Sequence, residues 1–361
     1  MEVIAEVKLI TNPIEREALF ALLRCVNHLR NTISVFAFDQ ACYNKFGLQN
    51  LLYHDLKPAY LMLASNHLIR SLATVAANYK TEMQKRRVVA PLWYRENASI
   101  ELDRDLWRFK QDGTISLSVA KGQRLCFAFQ YGDHQAERLD YATQSAKLVT
   151  RQGIFYLQIV CDIPEAEQQP VEEFLGVDLG IVKVAVDSDG QEYNAEIDAI
   201  RERRQAHRSR LQQRGTKSAK RRLKKVAGKQ ARFQRDTNHV ISKRLVEKAK
   251  DTQRGIGLEQ LTGIRNRTEK RLRKSQRARH TNWSFHQLQT FITYKAQIAG
   301  IPVVMVDPRY TSQTCAVCGH IDSASRRSQS VFRCTECGHE DNADRNAAIN
   351  ISKAALSRSL L

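Results

Sequence analysis

Two groups of residues in this chain have the types and spacing to do chemistry. The first is Cys315-Ala-Val-Cys318 with Cys334-Thr-Glu-Cys337, the pairs fifteen residues apart. Two thiolates three positions apart in a tight turn face one ion, and two such knuckles complete a tetrahedron, so the pattern reads as a zinc ribbon. Gly319 and Gly338 follow the pairs and permit the turns. Four unrelated cysteines would leave that spacing unexplained. With every position taken by thiolate no place remains for water, so one structural Zn²⁺ is expected.

The second group is three carboxylates. Asp178 ends the apolar run Leu-Gly-Val-Asp178-Leu-Gly, Glu259 ends Gly-Ile-Gly-Leu-Glu259, and Asp344 opens Asp344-Arg-Asn-Ala-Ala-Ile-Asn-Ile. Singly they have ordinary readings: a strand-end acid, an exposed acid and a helix cap. Acids set among apolar residues are costly to bury unless paired or metal-bound. Three that converge suit Mg²⁺, a hard ion that takes oxygen ligands. Two such ions, about 3.5–4 Å apart, would activate a water and stabilise the leaving oxygen of a phosphodiester. The expected catalytic and metal-binding residues are therefore Asp178, Glu259 and Asp344. Asp341 is the runner-up for the third.

The elements that must position these groups follow from periodicity. Val3, Ala5, Val7 and Leu9 alternate as in a strand that Asn12-Pro13 ends. Leu19, Leu22, Leu23, Val26, Ile33 and Phe36 recur at helical spacing, as do Leu61, Leu68, Leu72 and Val75, so 14–86 reads as a helical insertion. From about residue 88 the period is two, with turns at Asp112-Gly113 and Gln152-Gly153, which suggests a small barrel. The polar stretch 162–172 reads as a linker, with a boundary near 165. Beyond it strands are expected at 174–178, 182–186, just after Asp189-Gly190, at 254–259 and at 301–306. A helix should carry Trp283, Phe285, Leu288, Phe291 and Ile292. The segment 201–250 is helical by composition, with breaks expected near Gly215 and Gly228.

Charge names the kind of partner. The chain holds 57 Lys and Arg against 38 Asp and Glu, a net +19. Residues 201–250 alone carry nineteen basic side chains against Glu202, Asp236 and Glu247. A solvated face needs both signs, so this stretch points to a polyanion, with Arg221, Arg222, Lys224, Lys225, Lys229 and Arg232 as nucleic-acid contacts. A second basic run spans 265–279. No stretch reaches the ~18 apolar residues of a bilayer span, and the N-terminus lacks a signal-peptide pattern. A cytoplasmic, nucleoid-associated protein without disulfides is expected. Cys25, Cys42, Cys126 and Cys161 read as buried core thiols.

The order Gly-Val-Asp178-Leu-Gly, Leu-Glu259-Gln-Leu-Thr-Gly, Thr311-Ser-Gln-Thr-Cys315 with its ribbon, then Asp344-Arg-Asn-Ala-Ala-Ile-Asn-Ile resembles the TnpB family. These are RNA-guided nucleases of insertion sequences, similar to the smaller type V CRISPR effectors. The resemblance covers about 171–355, and a ribbon placed just before the last acid is its most specific feature. It implies an α/β multidomain fold: a wedge β-barrel at 1–13 and 87–165 with a helical recognition insertion at 14–86. A ribonuclease-H-like RuvC core at 171–310 and 341–361 would follow, interrupted by the ribbon at 311–340. It implies a guide RNA from the mobile element, a double-stranded DNA target beside a short flanking motif, and two Mg²⁺ ions at the three acids. Three other readings stay open. A guided repressor would lack a catalytic acid, an unguided junction resolvase would need neither the helical insertion nor so basic a middle, and a transposase in the strict sense would join DNA ends.

Overall fold

The computed structural model describes residues 1–85, 87–180, 183–193, 197–260, 285–328 and 330–360, apart from the side chains of 197–199, 201 and 202. The chain divides into two compact units, Met1–Pro164 and Glu165–Leu361. The division lies within the polar stretch that reads as a linker. The second basic run, Trp283 and the start of the strand expected at 182 lie outside the described residues.

In the first unit, β1 (Glu2–Leu9) and β8 (Ile154–Asp162) pair antiparallel from Glu2↔Asp162 to Lys8↔Tyr156, so the unit's first and last strands are neighbours. Everything between them is an excursion. Three helices come first: α1 (Pro13–Asp39), α2 (Lys45–Ala59) and α3 (Ser65–Gln84). Asn12 starts α1 with a reciprocal capping box to Glu15. Leu19, Leu22, Leu23, Val26 and Ile33 are buried as their spacing requires. Leu61 is not. It sits in the turn between α2 and α3, 64% exposed, because helical periodicity stops at Ala59.

The strands that follow are β2 (Ile100–Leu102), β3 (Trp107–Phe109), β4 (Ile115–Ala120), β5 (Gln123–Phe127), β6 (Phe129–Gln130) and, after the short α4 (Asp133–Leu139), β7 (Ala142–Arg151). They form two sheets, β2-β7-β8-β1-β6 and β3-β4-β5. Both expected turns are present, with Gly113 at φ +74 and Gln152-Gly153 at +54 and +79. Of the four scattered cysteines, Cys161 is buried and Cys25 and Cys42 are half-buried. Cys126 is exposed, because on β5 Phe127 takes the inward position and its neighbour must point out.

The second unit is built on a four-stranded sheet ordered β10-β9-β11-β12, with β9 (Phe174–Asp178), β11 (Gly255–Glu259) and β12 (Val303–Val306) parallel and β10 (Val186–Asp187) antiparallel. The third strand expected after Asp189-Gly190 is only an isolated bridge from Val186 to Glu192. Leu175, Val177, Ile256 and Leu258 form one face, buried under α6 (Lys217–Asp251) and α7 (Phe285–Ile298). The opposite face carries Phe174, Gly176 and Asp178 on β9 and Gly257 and Glu259 on β11. Against it lies α8 (Ala343–Ser359), through Ile351 and Ala355.

Gly176 and Gly257 are register partners on that face. A Cβ on Gly176 would come within 2.0 Å of Ala348 O and 2.5 Å of Ser352 N, and one on Gly257 within 2.9 Å of Ala355 Cβ. The helix backbone therefore lies directly on the sheet. The break expected at Gly228 is absent. α5 (Ile197–Arg214) ends at Gly215, but α6 runs unbroken from Lys217 to Asp251, since one glycine costs a helix only ~1 kcal/mol and α6 is long.

These two glycine environments predict opposite outcomes in a denaturation experiment. Gly176→Ala should destabilise the chain by more than about 3 kcal/mol, because backbone cannot yield as a side chain does. Gly228→Ala, with nothing nearer its Cβ than Arg232 Nη1 at 3.7 Å, should stabilise it by about 0.5–1 kcal/mol. Urea midpoints at fixed pH decide both.

Candidate functional site

The three acids meet at the carboxyl ends of the parallel strands. β9 and β11 are neighbours with Leu258 opposite Val177, so Asp178 and Glu259 follow on adjacent strand ends. Asp344 arrives on α8, which runs against β9: Ser352 Oγ donates to Phe174 O at 2.5 Å near one end, and Ala348 meets Gly176 midway. From Ala348 back to Asp344 is four helical residues, about 6 Å. From Gly176 to Asp178 is two strand residues, about 6.6 Å. The acids therefore stand level.

Asp344 is not the helix cap. That role belongs to Asn342, whose Oδ1 accepts from Asp344 N at 3.0 Å and Arg345 N at 3.3 Å. The Asp344 carboxylate is thereby released to the site, and its residue is only 6% exposed. Asp341 faces elsewhere, towards Arg345 at 3.4 Å and His339 at 4.0 Å.

Burial pushes the Asp178 carboxyl up from 3.8 to about 7, and the charges of Glu259 and Asp344 add to it. Burial also raises Glu259 and Asp344. Two groups from the ribbon and its approach oppose this. Thr311 Oγ1 donates to Glu259 Oε1, and Arg326 Nη2 lies 3.4 Å from Asp344 Oδ1. The Arg326 guanidinium lowers all three acids. A partly buried set of carboxylates that resists ionisation is what a divalent cation relieves, so the donor set fits Mg²⁺.

The four cysteine sulfurs all lie within 4.8 Å of one another, and among the described residues they are the one His, Cys, Asp or Glu cluster so tightly gathered. Cys315 Sγ is 3.7 Å from Cys337 Sγ, and Cys318 Sγ is 3.6 Å from Cys334 Sγ. These are close to the ~3.8 Å edge of a tetrahedron built on Zn–S bonds of about 2.3 Å, and far from a disulfide. The two knuckles repeat one pattern: Cys315 N donates to His320 O and Cys334 N to His339 O, while Gly319 and Gly338 take φ +77 and +70. The Cys337 amide, donating at 3.5 Å, holds the Cys334 thiol down to about 6. The set suits Zn²⁺.

Asparagines on α8 tie the ribbon to the acids. Asn346 accepts from Ala316 N at 2.9 Å and donates to Thr314 O at 2.8 Å. One turn on, Asn350 donates to Thr311 O at 3.0 Å and Thr314 O at 2.7 Å.

The expected nucleic-acid contacts lie along the first half of α6. Arg221, Arg222, Lys224, Lys225, Lys229 and Arg232 are all exposed there. This half packs on α5 through a thin seam, with Leu211 and Ala219 buried and Arg204 over the Phe233 ring at 4.1 Å. The second half buries Ile241, Leu245, Val246 and Ala249 against the sheet. Its end is locked by ion pairs, Lys248 to Asp187 at 2.6 Å and to Asp189 at 2.8 Å, with Arg254 on Asp189 at 2.6 Å.

Residues 285–351 match the Cas12f1-like TNB domain. Over 234 residues the chain is 35% identical to the CRISPR-associated endodeoxyribonuclease Cas12f1 of Sulfoacidibacillus thermotolerans, covering 59% of this chain and 54% of that relative. Over 97 residues it is 39% identical to a TnpB-like protein of Methanocaldococcus jannaschii, covering 27% of this chain and 34% of the relative. The chain is thus similar, over part of its length, to TnpB-like proteins and to compact type V effectors. It spans about half the length of the first relative and about a third of the second. The structure of CasPhi-2 (Cas12j) bound to crRNA aligns with a TM-score of 0.62 and 10% identity over 99% of this chain and 98% of that one, a likeness of fold. Among the described residues no helix is long and apolar enough to cross a membrane.

Sequence reasoning missed Thr311, Arg326 and the two asparagines. The Asn346 and Asn350 spacing, four apart on one helix face, is the signal that was available. Arg326 left none, since it reaches the acids only through the fold of the ribbon.

Two outcomes follow. Because the folded carboxyl of Asp178 is raised, its contribution to stability is present below about pH 4 and lost as pH climbs through 7. Without divalent ions, wild type should therefore lose stability relative to Asp178→Asn across pH 4–8, on the order of 4 kcal/mol. Mg²⁺ at pH 8 should restore it. A melting-temperature difference that ignores pH would contradict this. Elemental analysis should find one zinc per chain, reduced in Cys334→Ser, with α8 losing amide-exchange protection along with the metal.

Proposed function

We propose that the chain is an RNA-guided DNA endonuclease that hydrolyses a phosphodiester at Asp178, Glu259 and Asp344. The observation that carries the reading is the set of three carboxylates, half-buried at Asp178 and Glu259 and buried at Asp344, level at one sheet edge. Support comes from the relatives, one named an endodeoxyribonuclease and another TnpB-like. In this reading the first unit is the wedge barrel with its recognition insertion and reads the flanking motif. The second is a RuvC-type core with its inserted ribbon.

Asp178, Glu259 and Asp344 would hold Mg²⁺. When bound, two such ions supply an activated water and stabilisation of the leaving oxygen. Thr311 orients Glu259, and Arg326 balances charge at Asp344. The Asn342 cap keeps the Asp344 side chain free of its own helix. The exposed cations of α6 hold the guide and its paired target by their backbones, with sequence left to pairing. The guide is expected to come from the mobile element, and the protein to act in the cytoplasm at the nucleoid.

The test begins with sequencing RNA that copurifies with the protein. Replacing its guide segment should redirect cutting while the flanking motif stays the same. Asp178→Ala, Glu259→Ala and Asp344→Ala should each abolish cleavage and leave DNA binding largely intact. Neutralising Arg221, Lys224 and Lys225 together should flatten the slope of log affinity against log salt by about 2–3. RNA-free protein that cuts a defined duplex at full rate would replace this reading with an unguided resolvase.

A further inference from the structure

Between β12 and the ribbon, Tyr310 adopts φ +65 and leaves 58% of its surface exposed. A bulky L-residue is disfavoured in the left-handed region and persists there only where its surroundings hold it. Three donors do so: Gln313 N at 2.9 Å, Thr314 N at 2.9 Å and Thr314 Oγ1 at 2.8 Å all bond the Tyr310 carbonyl. The other non-glycine residues at positive φ among those described are Ala41, Gln152 and Gln253, none of them aromatic. Neither the ring nor the hydroxyl of Tyr310 has a hydrogen bond or ring contact among the described residues. The backbone is strained, and among the described residues the ring it presents has no partner.

Its place in the fold gives that ring a task. Thr311, the next residue, donates to Glu259 and is held through its carbonyl by Asn350 at 3.0 Å. The Tyr310 Cα is thus one peptide link, about 3.8 Å, from the residue that orients an acid of the site. It stands where β11 and β12 end, the edge at which open α/β sheets take ligands. A flat, exposed ring beside carboxylates that act on a phosphodiester matches the flat face of a nucleobase. Such stacking tolerates any base. In a duplex those faces are covered, so the partner is an unpaired base.

We propose that Tyr310 is a stacking platform for an unpaired base of the DNA strand delivered to Asp178, Glu259 and Asp344, and a positioning residue for the cut. This rests on the nuclease reading above. A short deoxyoligonucleotide carrying one 2-aminopurine, moved along the strand in successive versions, is titrated onto the full chain with Ca²⁺ in place of Mg²⁺. Wild type, Tyr310→Phe and Tyr310→Trp should quench the probe at a single position. Tyr310→Gly suits the same φ without a side chain. It should keep zinc and melting temperature, lose the quenching and bind about five- to a hundredfold more weakly. Quenching by Tyr310→Gly equal to wild type, or its loss in Tyr310→Phe, would overturn the proposal. The two readings fail apart. A chain that cuts no DNA with its RNA but quenches through Tyr310 keeps the platform and loses the nuclease. Normal cutting with quenching indifferent to Tyr310→Gly does the reverse.

Discussion

The second unit depends on how closely the backbone of α8 approaches the sheet. Gly176 and Gly257, side by side on β9 and β11, put no Cβ of their own in the way, so the α8 backbone reaches the sheet at Gly176 and Ala355 reaches it at Gly257. Because strand side chains alternate, a glycine two residues before an acid shares its face. The face that admits α8 is therefore the face that carries Asp178 and Glu259. Helical rise and strand rise then bring Asp344 level with both. Any residue larger than glycine at position 176 would lift the helix and carry the third acid away.

That geometry concentrates negative charge in a chain whose net charge is strongly positive. The compensation comes from the ribbon and its approach, which supply Thr311 to Glu259 and Arg326 to Asp344. The ribbon folds around its four sulfurs, and α8 grips its first knuckle through Asn346 and Asn350. Order at the cysteines and order at the carboxylates are thus one cooperative matter.

The basic helix α6 serves two environments along its length. Its second half is core, closed by the ion pairs of Lys248 and Arg254 with Asp187 and Asp189. Among the described residues its first half shares a thin seam with α5 and leaves its cations in solvent, where mutual repulsion would be relieved by a polyanion. β10, which holds Asp187, pairs through Val186 with Asp178. The anchored end of the charged helix is therefore two short links from the carboxylates.

Local sequence was enough for much of this. The cysteine spacing, the apolar strands ending in Asp178 and Glu259, the turns at Gly113 and Gly153, and the charge of α6 are all statements about residues close in sequence. Continuity of α6 past Gly228 was not legible, because one weak position is outvoted by the rest of a long helix. Nor was the exposure of Leu61 and Cys126, which depends on where an element ends and which way it faces. Asp344 was expected as a site acid although taken singly it could be a helix cap, and only the fold gives the cap to Asn342. Arg326, Thr311 and Tyr310 owe their roles to chain segments far apart in sequence, brought to one edge by a helix lying on glycine. The sequence by itself determined which chemistry was available, through residue type and short spacing. Only the tertiary structure decided which side chains share the site, because burial and charge are set by neighbours that local order does not name.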